Sequence, residues 1–181
     1  MAKVYEYIAD GTEEIEALTM TDVLRRAGVE VVTVSINKTA EVTMSHGVRI
    51  ICDTTVAEAD VNDADMLLLP GGMPGATNLN DCEAVRTAVL RQYEQGKKVG
   101  AICAAPLILG GLGILQGKRA TCYPGFESQM TGATYTKELF TVDGNVITGE
   151  GPGSYAILEM LGEGAEAEQL REGMMFNHLM S

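Results

Sequence analysis

The sequence predicts an α/β fold whose mostly parallel sheet is covered by helices on both faces. Three observations carry this. Strand-like stretches alternate with amphipathic helical stretches along nearly the whole chain. VEVVTVSIN and DMLLLPGG are β-branched or apolar runs, as expected of strands buried on both sides. Of the 181 residues, 21 are Gly, above the usual ~7%, so backbone must approach backbone closely in many places.

The elements follow in order. Val4 to Ile8 reads as the first strand. In DGTEEIEALTMTDVLRRAG, Thr12 is placed to cap a helix with acids in its first turn. Ile15, Leu18, Val23 and Leu24 supply an apolar stripe, Arg25 and Arg26 fill the last turn, and Gly28 ends it. VEVVTVSIN is the second strand, and EVTMSHGVRIIC reads as a hairpin turning at His46-Gly47. DMLLLPGG is a strand that stops in a glycine-rich loop. DCEAVRTAVLRQYEQGK is a helix with Asp81 at its cap and Gly96 at its stop. KKVGAIC is a strand, APLILGGLGIL a helix cut short by glycines, and RATCYPG a short strand. Asp143-Gly144 marks a second hairpin. SYAILEMLGEGAEAEQLREGMMFNHLM closes the chain with one or two helices, Met174 and Met175 on a packing face. No linker, repeat or low-complexity stretch interrupts residues 1–181, which read as a single domain.

Composition excludes several functions. The formal net charge is −12 and no basic cluster offsets it, which disfavours nucleic acid and anionic membranes. No apolar run approaches the ~20 residues of a membrane span. MAKVYEYIADG turns polar too soon for a signal peptide, so the reading is cytoplasmic. The four cysteines form no C-x-x-C pair and there are two histidines, a poor supply for structural zinc. Free thiols are expected in a reducing compartment.

Sites in open α/β sheets form at the carboxyl ends of the strands. Three loops at such ends are unusual: ADGTEEIEA, LLLPGGMPGATN and AICAAP. In the third, Cys103 stands where strand gives way to helix, among small residues that a sharp turn would require. This is the steric logic of a nucleophile elbow, without the G-x-S-x-G pattern. A helix start would also lower the thiol pKa. Packing is an equal reading, because free Cys is among the most buried residue types. Gly71-Gly72 is either a plain tight turn or a pair of amides for an oxyanion. Glu13, Glu14 and Glu16 fit solvated dipole partners. Glu16, flanked by Ile15 and Ala17, is also placed to turn inward, where a desolvated carboxyl would shuttle a proton. His46 and His178 have no local partner and are not read as catalytic bases. Cys52, Cys82 and Cys122 read as core or surface thiols, and the methionines as core filler.

DGTEEIEA, LLLPGGMPGATNL, VGAICAAPLIL and GEGPGSYAIL, in this order from Lys3 to about Gly162, resemble the ThiJ/PfpI superfamily. Within it they resemble the subgroup of the human parkinsonism-associated protein and its bacterial relatives. The resemblance implies a flavodoxin-like three-layer sandwich with a β-hairpin extension, a homodimer, and no cofactor or metal. It implies a reactive cysteine at Cys103, a protonated glutamate at Glu16 hydrogen-bonded to that thiol, and oxyanion amides at Gly72 and Ala104. A helix arginine near the cysteine pocket maps onto Arg26. Many members carry a histidine just before a proline near the cysteine; here Tyr123 stands there, in TCYPG. The peptidase branch has His after the nucleophile, where this chain has Ala104, and glutamine amidotransferases need a late H-x-E that GPGSYAILEM lacks. Peptidase and glutaminase activities are therefore set aside. Two functions follow as expectations. One is cofactor-independent, cysteine-dependent removal of reactive dicarbonyls, of glyoxalase or deglycase type, on a small aldehyde or dicarbonyl substrate, with Tyr123 and Arg26 accessory. The other is a redox-sensing protein acting through oxidation of Cys103.

Overall fold

Strand–helix alternation builds a seven-stranded sheet in the computed structural model, which describes residues 2–152 and 154–173. The strands and helices are β1 (Lys3–Ile8), α1 (Glu14–Arg26), β2 (Glu30–Ser35), β3 (Glu41–Thr43), β4 (Arg49–Ile51), β5 (Thr54–Thr55) and β6 (Met66–Leu69). Then come α2 (Gly75–Asp81), α3 (Glu83–Glu94), β7 (Lys98–Ile102), α4 (Pro106–Gly111), β8 (Arg119–Ala120), a 3₁₀ turn at Glu127–Gln129 and β9 (Thr134–Tyr135). The last elements are β10 (Phe140–Asp143), β11 (Val146–Gly149), α5 (Ser154–Leu161) and α6 (Gly164–Gly173).

The sheet order is β10-β11-β7-β6-β1-β2-β5. Every neighbouring pair is parallel except β10–β11, the hairpin turned by Asp143-Gly144. The chain winds outward from β1 to β2 and β5, then returns through β6 to build the other half. The strand order therefore reverses between β1 and β6, and the loops leaving their carboxyl ends diverge into a crevice there.

Alternation along the strands feeds two cores. Tyr5 and Tyr7 of β1 and Leu67 and Leu69 of β6 pack with Leu79 of α2, Val85 and Val89 of α3 and Ile108 of α4. Val4 of β1 and Met66 and Leu68 of β6 pack on the other face with Met20 and Leu24 of α1 and Ile157 and Leu158 of α5. This is the three-layer sandwich expected. The β3–β4 hairpin pairs separately, Glu41 opposite Ile51 and Thr43 opposite Arg49. Its Val42, with Met44 and Cys52, covers Ile8 and Ala17.

Several local expectations are corrected. Thr12 does not cap α1; its hydroxyl accepts the Ala9 N–H at 3.1 Å, and Glu13 holds the cap position without a side-chain capping bond. Asp81 closes α2 instead of capping α3, whose cap position is Cys82. The sequence GATNLND is poor in helix formers, yet it makes α2 because the loop after β1 holds it. Asn78 Nδ2 donates to the Asp10 carbonyl at 2.8 Å, and a Cβ on Gly75 would fall 2.4 Å from the Thr12 nitrogen. Met20, Met44, Met66 and Met130 fill the core, but Met73 is half exposed. Met174, Met175 and His178 lie outside the described residues.

Candidate active site

Cys103 follows directly on β7 and has φ +56°. That left-handed conformation is rare for a side chain and costs ~1–3 kcal/mol unless its surroundings impose it. Here they do. The Cys103 N–H donates to the Gly149 carbonyl at 2.7 Å, and the Tyr123 N–H donates to the Cys103 carbonyl at 2.9 Å. The turn leaves no room for side chains opposite it. A Cβ on Gly71 would lie 2.6 Å from Cys103 Cβ, 2.8 Å from Glu16 Oε2 and 3.0 Å from the Ala104 nitrogen. Gly72 has φ +88°, and a Cβ there would meet the Glu13 nitrogen at 2.3 Å.

Glu16 sits in the first turn of α1 and is 7% exposed. Its Oε2 accepts the Gly71 N–H at 2.8 Å, and the carboxyl hydrogen-bonds the Cys103 thiol. The glycine loop thus has divided duties. Gly71 anchors the carboxyl, while the Gly72 and Ala104 amides point at the Cys103 sulfur. The structure therefore brings Cys103, Glu16, Gly72 and Ala104 together, from three loops that are far apart in sequence.

The electrostatics differ from the simple expectation. Burial pushes the Cys103 thiol up, the Glu16 carboxylate adds to this, and together they carry it to about 12 despite the pull of the two amides. The helix that follows is six residues long and begins only at Pro106, so its dipole does not reverse this. Burial also raises Glu16, against the pull of the Cys103 thiol and the Gly71 N–H. Burial is the largest cause of both shifts, and the Glu16 charge adds to it at the thiol. Held that high, the thiol keeps its proton through neutral pH. A thiolate forms there when that proton sits on Glu16.

Tyr123 touches the site through its backbone, and its side chain is 53% exposed. Arg26 is not brought to the cysteine within the chain. It stands ten residues along α1 from Glu16, about 15 Å at 1.5 Å per residue, and its Nε pairs with Asp22 Oδ2 at 2.8 Å.

A polar clamp that local reading missed lies beside the pocket. Glu14 Oε1 accepts the His46 N–H at 2.7 Å, and its Oε2 accepts the Ser45 hydroxyl at 2.6 Å and faces His46 Nδ1 at 3.0 Å. His46 therefore has partners, 32 residues away in sequence. The periodicity of a helix and the turn of a hairpin do not reveal which hairpin closes over which helix. Glu13, Glu14 and His46 offer ligand atoms within 4.8 Å of one another and are the described side chains that could together hold a metal ion. Ser45 and the His46 N–H already engage those carboxylates.

A doubly wound sheet presenting a strained cysteine beside a buried glutamate defines a class of protein. The chain belongs to the DJ-1/PfpI family, matched over residues 2–161, and its relatives place it in the DJ-1 subgroup. It is 38% identical over 154 residues to protein DJ-1 homolog B of Arabidopsis thaliana, covering 84% of this chain and 35% of that protein. It thus spans little more than a third of the two Arabidopsis relatives it matches. It is 33% identical over 147 residues to the glutathione-independent glyoxalase DJR-1.2 of Caenorhabditis elegans, covering 80% of this chain and 77% of that one. The structure of oxidized Toxoplasma gondii DJ-1 superposes with a TM-score of 0.92 at 33% identity, covering 97% of this chain and 98% of that chain.

Proposed function

We propose that this protein removes reactive dicarbonyls without a cofactor, in the manner of a glyoxalase or deglycase. The observation that carries this is the placement of the strained Cys103 thiol against the buried Glu16 carboxyl, with two amides aimed at the sulfur. The relative named a glutathione-independent glyoxalase supports it. In this reading the proton moves to Glu16 as Cys103 sulfur adds to the aldehyde carbon of methylglyoxal. The oxyanion that forms is held by the Gly72 and Ala104 amides and takes that proton back from Glu16, giving a hemithioacetal and leaving Glu16 ionised. Glu16 then removes the proton from that carbon and returns one to the neighbouring carbon. The product is a thioester of Cys103, which water hydrolyses to lactate and free thiol. Tyr123, half exposed beside the elbow, is accessory, and no histidine is needed because Glu16 carries the proton. Purified protein incubated with methylglyoxal should release lactate, and Cys103→Ala should release at least ~100-fold less. Equal rates would sink the reading.

A second reading, oxidation sensing, rests on the same sulfur facing the same amides, which would stabilise a sulfinate. The oxidized state of the Toxoplasma gondii relative supports it. Arg26, held by Asp22, is not available to that anion from within the chain. Mass spectrometry after mild peroxide should find oxygen on Cys103 before Cys52, Cys82 or Cys122; the reverse order rejects it. The homodimer implied by the family would bury the exposed Ile15 and Leu18 of α1 and Val48 and Ile51 of the hairpin. Sedimentation showing a monomer at micromolar concentration would exclude it.

A further inference from the structure

Across the sheet from α1, a groove of about 610 Å³ runs between α3 and the segment that follows β5. Val56, Ala59 and Val61 form one wall, and Ala84 and Ala88 of α3 the other. The volume is in the range of sites for small organic ligands. Tyr7 of β1 lies on its floor. The residue is 2% exposed, yet its hydroxyl has no hydrogen-bond partner among the described residues. That oxygen is not sealed from the groove, so it is free to donate to a ligand there. Burial pushes this phenol up to about 12, so it is a donor throughout the neutral range.

The polar groups at the rim are ordered. Glu83, Thr87 and Arg91 follow one another at four-residue spacing on α3 and all line the groove. Arg91 makes no ion pair or side-chain hydrogen bond among the described residues, although the chain carries a net charge of −12. Its guanidinium acts on the Tyr7 hydroxyl electrostatically, and both residues line the groove. Glu83 is eight residues back, about 12 Å along the helix.

We propose that this groove is a second ligand site, separate from Cys103, which takes a small amphipathic monocarboxylate. The carboxylate is held by Arg91 and by the Tyr7 hydroxyl, and the apolar body lies on Val56, Ala59, Val61 and Ala88. Arg91 is built for a planar two-oxygen anion, and Tyr7 supplies one more donor to it. Glu83 at the far end repels a second anionic group, so dicarboxylates are selected against.

Sodium hexanoate, titrated into isotopically labelled protein and followed by amide chemical shifts, tests this. The amides of Val61, Ala84 and Ala88 should move saturably. Arg91→Met should weaken binding at least ~10-fold, as expected for loss of a charge-assisted bond, and Tyr7→Phe at least ~3-fold. Arg91 is exposed and Phe fills the place of Tyr7, so both variants should keep the wild-type fold, which their spectra report directly. 1-Hexanol should bind at least ~10-fold more weakly than hexanoate, and Cys103→Ala should bind hexanoate as the wild type does. The proposal is overturned if those amides stay still, if Arg91→Met or Tyr7→Phe leaves the affinity unchanged, if hexanol binds equally, or if Cys103→Ala abolishes the shifts. Failure of dicarbonyl turnover would leave it untouched, because no residue of the groove takes part in that reaction.

Discussion

At the scale of single residues, the chemistry rests on a half-buried thiol set against a buried carboxyl. Glu16 raises the cost of ionising Cys103, the thiol in turn eases the ionisation of Glu16, and burial raises both. Replacing Glu16 by Gln keeps the shape and removes the charge. The thiol then loses its repulsive neighbour, and the alkylation midpoint of Cys103 should fall by at least ~1 pH unit. Dicarbonyl turnover should move the other way, down by ~100-fold or more, because the group that shuttles the proton is gone. The opposed changes separate a proton carrier from a group that only packs. A midpoint that stays where it was would show that the carboxylate is not a charged neighbour of the thiol. Local sequence could not decide between packing and reactivity at Cys103. It contained the small residues, Gly71 among them, but not the fact that Gly71 stands opposite the cysteine with room for no Cβ.

At the scale of elements, the strands and helices that bury apolar faces were legible, because their patterns are set by the burial itself. The misjudged elements are short or held by other parts of the chain. β5 and β9 are two residues long, and α2 forms on a helix-poor segment because Asp10 and Thr12 grip it. The clamp between α1 and the hairpin belongs with these, and it has a pH signature. Burial would push the Glu14 carboxyl up, but the Ser45 hydroxyl, backbone N–H groups and His46 outweigh it and bring it to about 2. A depressed carboxyl lends stability above its unfolded value of 4.5, lost as pH falls towards about 2. Glu14 in turn raises His46, so the contribution of the imidazole is full below 6.5 and fades as pH rises through its raised value. In Glu14→Gln, proton NMR should show the His46 pKa moved down towards its ordinary value. Amide exchange at Met44 and Ser45, whose N–H groups bond to Val48 and Thr12, should quicken. A His46 titration identical to wild type would reject the clamp.

At the scale of the whole molecule, the most exacting feature is a carboxyl in the central sheet. Glu6 lies in the middle of β1, opposite Thr33 of β2 and Leu68 of β6, and is 0% exposed. The Thr21 hydroxyl of α1 donates to its Oε2 at 2.5 Å, while its Oε1 has no partner. Burial pushes its pKa up to about 8, beyond what Thr21 and the Arg25 charge restore. The folded protein therefore holds a proton that the unfolded chain releases above pH 4.5. Between pH 4.5 and about 8 Glu6 makes the native state bind more protons than the unfolded state, so its contribution lowers stability as pH rises and levels off above about 8. Glu16 and His46 contribute slopes of the same sign, so wild-type behaviour alone does not identify the source. Comparison with Glu6→Gln does. The amide occupies the same volume and leaves one polar atom unpaired, as the carboxyl does, and differs in having no charge to acquire. Melting temperatures of the two proteins should lie close together near pH 5 and diverge as the pH rises. By pH 8.5 Glu6→Gln should be the more stable by at least ~1 kcal/mol, or ~2–4 °C for a chain of this size. Parallel melting curves from pH 5 to 8.5 would mean that Glu6 keeps the same charge folded and unfolded, and that the sheet does not hold its proton.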